Sequence, residues 1–93
     1  MSDVILKNGF TDGMAMAKRY PATFEVPTLM EKSMIKVGDF VKVGHNQEKF
    51  WCEVKFINGN DIRAEVNNDL VNDHPFECGD DIHFEMDHVL AIY

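Results

Sequence analysis

Two cysteines, three prolines and a single tryptophan are all this 93-residue chain has of those residues, and it contains no long apolar run. Each shortage excludes something. Small secreted domains that rely on disulfides usually carry four or more cysteines, so Cys52 and Cys78 read as free thiols in a reducing compartment. An export leader needs a basic start and an apolar core of about 7–15 residues. Met1-Ser2-Asp3 is acidic instead, and Val4-Ile5-Leu6 is too short. A membrane-spanning helix needs about 20 apolar residues, and nothing here approaches that. The expectation is a cytoplasmic protein with no membrane association.

Chemistry-bearing spacings are equally scarce. His45, His74, His83 and His88 form no His-x-x-x-His pair, the cysteines form no Cys-x-x-Cys, and no glycine-rich loop suits a phosphate. The acids Asp69, Asp80 and Asp81 lack the spacing of a calcium loop. No metal, cofactor or catalytic residue is expected, and the chain reads as non-enzymatic.

Positive charge is missing from one region in particular. Residues 1–57 hold eight Lys/Arg against seven Asp/Glu, whereas residues 58–93 hold only Arg63 against nine acids. That places a charge of −8 on the C-terminal third of a chain whose total is −7. Such a field repels phosphate backbones and attracts basic surfaces. Direct nucleic-acid binding is disfavoured, and a basic protein partner fits.

What is present is enough to fold. Hydrophobic residues make up 45% and charged residues 27%, a balance typical of globular domains and not of disordered chains. The length suits one domain, 1–93, divided into a helical and extended segment over 1–35 and a β-rich part over 36–93. Thr11 or Asp12 can cap a short helix near residues 12–19, rich in Met and Ala and closed by Lys18 and Arg19 before Pro21. Leu29 to Ser33 reads as a connector with a possible helical turn.

From Lys36 the apolar period falls to two. Phe40-Val41-Lys42-Val43 is a strand, and Gly44 to Gln47 reads as a polar loop. Residues 48–57 form the clearest strand, with Phe50, Cys52, Val54 and Phe56 on one face and Trp51, Glu53, Lys55 and Ile57 on the other. Asn58-Gly59 marks a tight hairpin. Ile62, Ala64 and Val66 return on the inner face. A connection from Asn68 to Cys78 leads to Ile82, Phe84 and Met86, and the tail from Asp87 turns helically or adds a last short strand. The expected core contains Phe40 or Val41, Val43, Phe50, Val54, Phe56, Ile62, Val66, Ile82 and Phe84. These elements suggest an α+β fold, a small bent antiparallel sheet or SH3-like partly open barrel with a short N-terminal helix.

Three segments carry a likeness: Tyr20-Pro21-Ala22-Thr23-Phe24-Glu25-Val26-Pro27, Ile35-Lys36-Val37-Gly38-Asp39-Phe40-Val41-Lys42-Val43, and Glu48-Lys49-Phe50-Trp51-Cys52-Glu53-Val54. Together with Asn67-Asn68-Asp69, Phe76 to Phe84 and His88-Val89, they resemble an uncharacterised family of small bacterial and phage proteins. That family carries Pro-x-Thr-Phe-Glu-Ile-Pro, Gly-Asp-x-Val-Lys and Glu-Arg-Phe-Trp-Val-Glu-Val segments. The likeness covers roughly residues 14–93. Lys49 stands where the family often has Arg, Cys52 where it has Val, and Leu70 where it has Pro. Because the family has no assigned function, the resemblance implies a fold and no mechanism. A weaker likeness over residues 36–68 is to Tudor-type and other SH3-like barrels, whose Gly-Asp-x-Val opening and tryptophan-bearing strand it shares.

Trp51 is the most informative residue, since a strand that buries Phe50, Cys52 and Val54 turns its indole outward. Exposed tryptophan is a frequent anchor of binding surfaces. The rival expectation is that Tyr20 and Phe24 cover it as a second small core. The candidate binding residues are Trp51, Lys49, Glu53 and Lys55 on the strand, with Asn68 and Asp69 from the loop after the hairpin. The expected role is a protein-interaction module whose acidic third meets a basic partner. Two alternatives stand beside it: mimicry of nucleic-acid charge to inhibit a host or defence protein, and a small metal-dependent hydrolase using His and Cys, which metal analysis would reveal.

Overall fold

In a computed structural model, which describes residues 4–93, the regular alternation from residue 40 onward becomes a curled antiparallel sheet. Met1 to Asp3, the acidic start weighed above as excluding a leader, lie outside the described residues. The strands are β1 (Leu6–Lys7), β2 (Phe10–Thr11), β3 (Phe40–His45), β4 (Glu48–Asn58), β5 (Asp61–Val66), β6 (Asp81–Glu85) and β7 (Ala91–Ile92). They run β1-β2-β3-β4-β5-β6, with β7 paired to β3. The result is an α+β half-barrel with two short helices, α1 (Gly13–Arg19) and α2 (Leu29–Ser33). No helix among the described residues is long and apolar enough to cross a membrane.

The inner face is the hydrophobic core. Val41, Val43, Phe50, Cys52, Val54, Ile62, Ala64 and Val66 are all buried, closed at the ends by Phe84, Ile82, Phe10, Ile35 and Val89. The sheet also takes in β1 and β2, residues expected in the helical and extended segment. Asn8 and Gly9 both adopt positive φ, the backbone that a two-residue hairpin matched to strand twist requires.

One expected core residue is on the wrong side. Phe56 is 47% exposed, and Ile57, expected outside, packs against the core. The cause is a β-bulge: Val54 pairs with Ala64 and Phe56 with Arg63, so Lys55 is an extra residue with no partner. One inserted residue reverses the alternation for everything after it.

The helices follow their caps. Asp12 accepts from the Ala15 N–H at 3.0 Å to start α1, and α1 stops at Tyr20, before Pro21. Thr28 and Glu31 form a capping box that starts α2. That helix is inverted: its buried side chain is Lys32, while Leu29, Met30 and Met34 beside it are exposed.

Candidate functional site

The outer face of the sheet assembles three aromatic rings that are distant in sequence. Phe40 on β3, Trp51 on β4 and Tyr93 after β7 line one shallow cleft of about 270 Å³ together with Asn67 and Asn68. Tyr93 meets both rings edge-on, its centroid 6.4 Å from Phe40 and 6.1 Å from Trp51. This edge-to-face geometry sets the positive ring edge against the negative face. Pairing explains the position of Tyr93: its N–H donates to the Phe40 carbonyl at 2.9 Å, which extends β7 along β3. Lys42, directly opposite Trp51, holds its Nζ 5.1 Å from the indole centroid.

Trp51 is therefore half-buried, and its ring neighbours are Tyr93 and Lys42. The expected cover from Tyr20 and Phe24 is not what flanks it. Phe24 instead lies under Lys49, 5.6 Å from its Nζ.

Cross-strand register adds a row of acids. Glu53 on β4 is paired with Glu65 on β5, and Glu65 with Asp81 on β6; on its other side Glu53 is paired with Phe40. Three carboxylates thus lie side by side across three strands and lead into the aromatic cleft. Lys55, the extra residue of the bulge, sits 3.3 Å from Glu53 and 3.8 Å from Glu65. Among the described residues no cation pairs with Asp81.

Of the six residues expected to bind, the structure gathers Trp51, Glu53, Lys55 and Asn68 on or beside this face. Asn68 accepts from the Trp51 N–H at 2.5 Å and fixes the rim of the cleft. Lys49 lies two residues before Trp51 on the same face of β4, but it lines a separate depression with Phe24 and Gln47. Asp69 lines a different depression, with Cys78 and Phe76. Phe40, Lys42, Glu65, Asp81 and Tyr93 were missed. Their signal was present only as register, which needs the pairing of strands separated by long connections.

The loop after Asn68 is anchored by a second arrangement. Glu48 pairs with His45 across a turn in which Asn46 and Gln47 both have positive φ, so His45 belongs to β3 and not to a polar loop. The Glu48 carboxylate accepts from the N–H groups of Val71 (2.9 Å) and Asn72 (2.8 Å) and from Nε2 of His74 at 2.7 Å. His74 Nδ1 is 2.7 Å from His45 Nδ1, so a single proton lies between the two rings. These bonds hold Glu48 at about 2, the His74 bond first and the Asn72 and Val71 N–H groups next. Burial, and then the adjacent His74, holds His45 below its ordinary value.

A carboxylate, imidazole and imidazole in line resemble a proton relay. This one ends at His45 against Phe10 and Phe76, with centroids at 5.2 and 5.0 Å. Among the described residues no hydroxyl or thiol is bonded to His45, and the three groups together tie the loop to the β3–β4 turn. The thiols offer no alternative: burial pushes Cys52 up to about 12, and Cys78 is exposed. Among the described residues no group of three or more His, Cys, Asp or Glu is placed to hold a metal ion.

No family model, curated protein or solved structure matches this chain.

Proposed function

We propose that this chain is a non-enzymatic protein-interaction module that binds a basic segment of a partner across the outer face of its half-barrel. The observation that supports this reading is the continuity of the Asp81–Glu65–Glu53 row with the Phe40, Trp51 and Tyr93 cleft. Like charges directly opposite one another weaken a sheet, by up to about 1 kcal/mol for each pair. Lys55 relieves the Glu53–Glu65 pair, and the Glu65–Asp81 pair has no cation beside it among the described residues. A cationic partner removes the repulsion, and the same field speeds its encounter.

The cleft supplies what the acids lack. Half-buried Phe40 and Trp51 and the exposed Tyr93 give a partner apolar area, and tryptophan and tyrosine are among the residues most often found at such anchors. Lys42 already rests on the indole at 5.1 Å, a contact that supports a ring environment suited to cations. An incoming lysine or arginine takes the same kind of seat, with Glu53 beside it.

Because Trp51 is the only tryptophan, its emission reports the cleft directly. Titration with basic peptides carrying one aromatic or aliphatic residue is expected to shift that emission saturably, and acidic peptides of equal length are not. Glu53→Gln with Glu65→Gln is expected to weaken the basic peptide about tenfold, or about 1.4 kcal/mol. Equal response to acidic and basic peptides refutes the proposal.

A further inference from the structure

The depression that Lys49 lines is a recess of about 330 Å³, shared with Thr11, Met16, Phe24, Gly44 and Gln47. Its polar groups share one side of the sheet. Phe10, Val43 and Phe50 face the inner core, so their neighbours along the strands, Thr11 on β2, Gly44 on β3 and Lys49 on β4, face outward. On that side the buried Met16 of α1 and the half-buried Phe24 supply apolar walls. Apolar walls with a few convergent polar groups are the usual anatomy of a small-molecule site, and the volume is at the lower end of the ordinary range.

Thr11 is the polar group that the fold leaves unused. It is only 7% exposed, yet its hydroxyl has no hydrogen-bond partner among the described residues, where a buried hydroxyl ordinarily has one. Glycine at position 44 makes room for it: a Cβ there would lie 2.6 Å from the Thr11 Oγ1. The hydroxyl therefore sits over Gly44, and Lys49 is directly opposite Gly44 on the next strand. Directly opposed residues hold their Cβ atoms about 4.5–5.5 Å apart, so hydroxyl and ammonium are close enough to meet one small group. Lys49 has no carboxylate partner among the described residues, and its Nζ rests 5.6 Å from the Phe24 centroid; Lys7 and Lys55, by contrast, are paired with acids. Glu48 also borders the recess, but its carboxylate is taken by Val71, Asn72 and His74. No acid of the C-terminal third lines it.

We propose that this recess binds a small monocarboxylate with a short apolar body. One carboxylate oxygen meets the Lys49 ammonium, the Thr11 hydroxyl donates to the other, and the body packs on Met16 and Phe24. Charge-assisted bonds of this kind are the stronger ones. A single ammonium and a single hydroxyl suit one carboxylate better than the three oxygens of a phosphate group. The site is independent of the peptide-binding reading, since it needs neither Trp51 nor Tyr93.

Benzoate is the probe, with benzamide as the neutral molecule of the same shape, followed by amide chemical shifts of the folded full chain. Benzoate is expected to shift Thr11, Gly44 and Lys49 saturably, and benzamide to bind at least about fivefold more weakly, or about 1 kcal/mol. Lys49→Met, which keeps the stem and removes the charge, and Thr11→Val, which removes the hydroxyl, are each expected to weaken benzoate by a similar factor. Thr11→Val is expected not to lower the melting temperature, because the hydroxyl is bonded to nothing in the free chain. Tyr93→Ala is expected to leave benzoate binding unchanged. Three results overturn the proposal: equal binding of benzamide, no saturable shift below about 10 mM benzoate, or shifts centred on Trp51. The benzamide comparison uses the unmodified chain and stands even where a variant fails to fold.

Discussion

Replacing His74 by alanine tests the clamp that fixes the loop beside the proposed peptide site. The His74 side chain is fully buried, with one ring nitrogen on the Glu48 carboxylate and the other facing His45, both at 2.7 Å. A hydrogen bond to a charged group contributes about 1.5–3 kcal/mol and a neutral one about 0.5–1.5 kcal/mol. The ring also stacks on Phe76 at 5.2 Å and meets Phe50 edge-on at 5.8 Å, so its removal leaves a void among aromatic groups. Glu48 has solvent within reach and recovers part of its loss through water. The net cost is about 2–4 kcal/mol. At about 4–8 °C per kcal/mol for a domain of this size, melting falls by about 10–25 °C. Amide exchange at Val71 and Asn72, which donate to Glu48, is expected to accelerate more than exchange in β4. A fall below about 4 °C, about 1 kcal/mol or less by the same conversion, with Val71 and Asn72 still protected, would refute the clamp.

The same groups set the pH response. His45 has its folded value lowered, so the stability it contributes is complete above the ordinary histidine value of 6.5 and is lost as pH falls through the folded value. Glu48 is lowered from 4.5 to about 2, so its contribution is present above 4.5 and is lost between there and about 2. Urea midpoints are expected to fall in two steps on acidification. In His74→Ala the lower step is expected to shrink, since His74 is the chief cause of the Glu48 shift. Three further outcomes follow from single residues. Lys32 is 3% exposed with no partner for its Nζ among the described residues, and burial lowers its pKa, so Lys32→Met is expected to raise stability by about 1 kcal/mol or more in urea unfolding; a loss of that size contradicts the reading. A Cβ on Gly44 would lie 2.6 Å from Thr11 Oγ1, so Gly44→Ala is expected to cost about 1–3 kcal/mol, partly recovered by adding Thr11→Ala. At pH 8 a thiol reagent is expected to label Cys78 alone in the folded chain and Cys52 only on unfolding, because the buried Cys52 thiol titrates near 12.

Much of the half-barrel could be read along the chain, because its central strands obey local rules. Phe50, Cys52 and Val54 alternate with polar residues, and Asn58-Gly59 marks the hairpin without outside help. The bulge was hidden because Phe56 and Ile57 are both apolar, and period-two reasoning cannot tell which of two such neighbours faces inward. The Asn46-Gln47 turn lacks glycine, so nothing local announced that His45 and Glu48 face each other. The clamp then needed His74, which lies 29 residues from His45 and is reached only through the fold. Helix α2 misleads for a different reason: its buried lysine and exposed Leu29, Met30 and Met34 invert the pattern from which burial is inferred. Trp51 was readable as an outward residue, but its companions Phe40 and Tyr93 depend on β7 returning to pair with β3.

The most direct test of the outer face as a binding surface is Trp51→Ala, measured by thermal melting and by peptide affinity on the same preparation. The indole is half-buried against Tyr93 and Lys42 and contributes nothing to the inner core. Melting is therefore expected to drop by no more than about 8 °C, about 1–2 kcal/mol. Affinity for a basic peptide, followed by calorimetry since the fluorophore is gone, is expected to fall about 30-fold, or about 2 kcal/mol. Unchanged affinity, or a loss of stability of about 3–5 kcal/mol that leaves little folded protein, would contradict the assignment of Trp51 to a binding site.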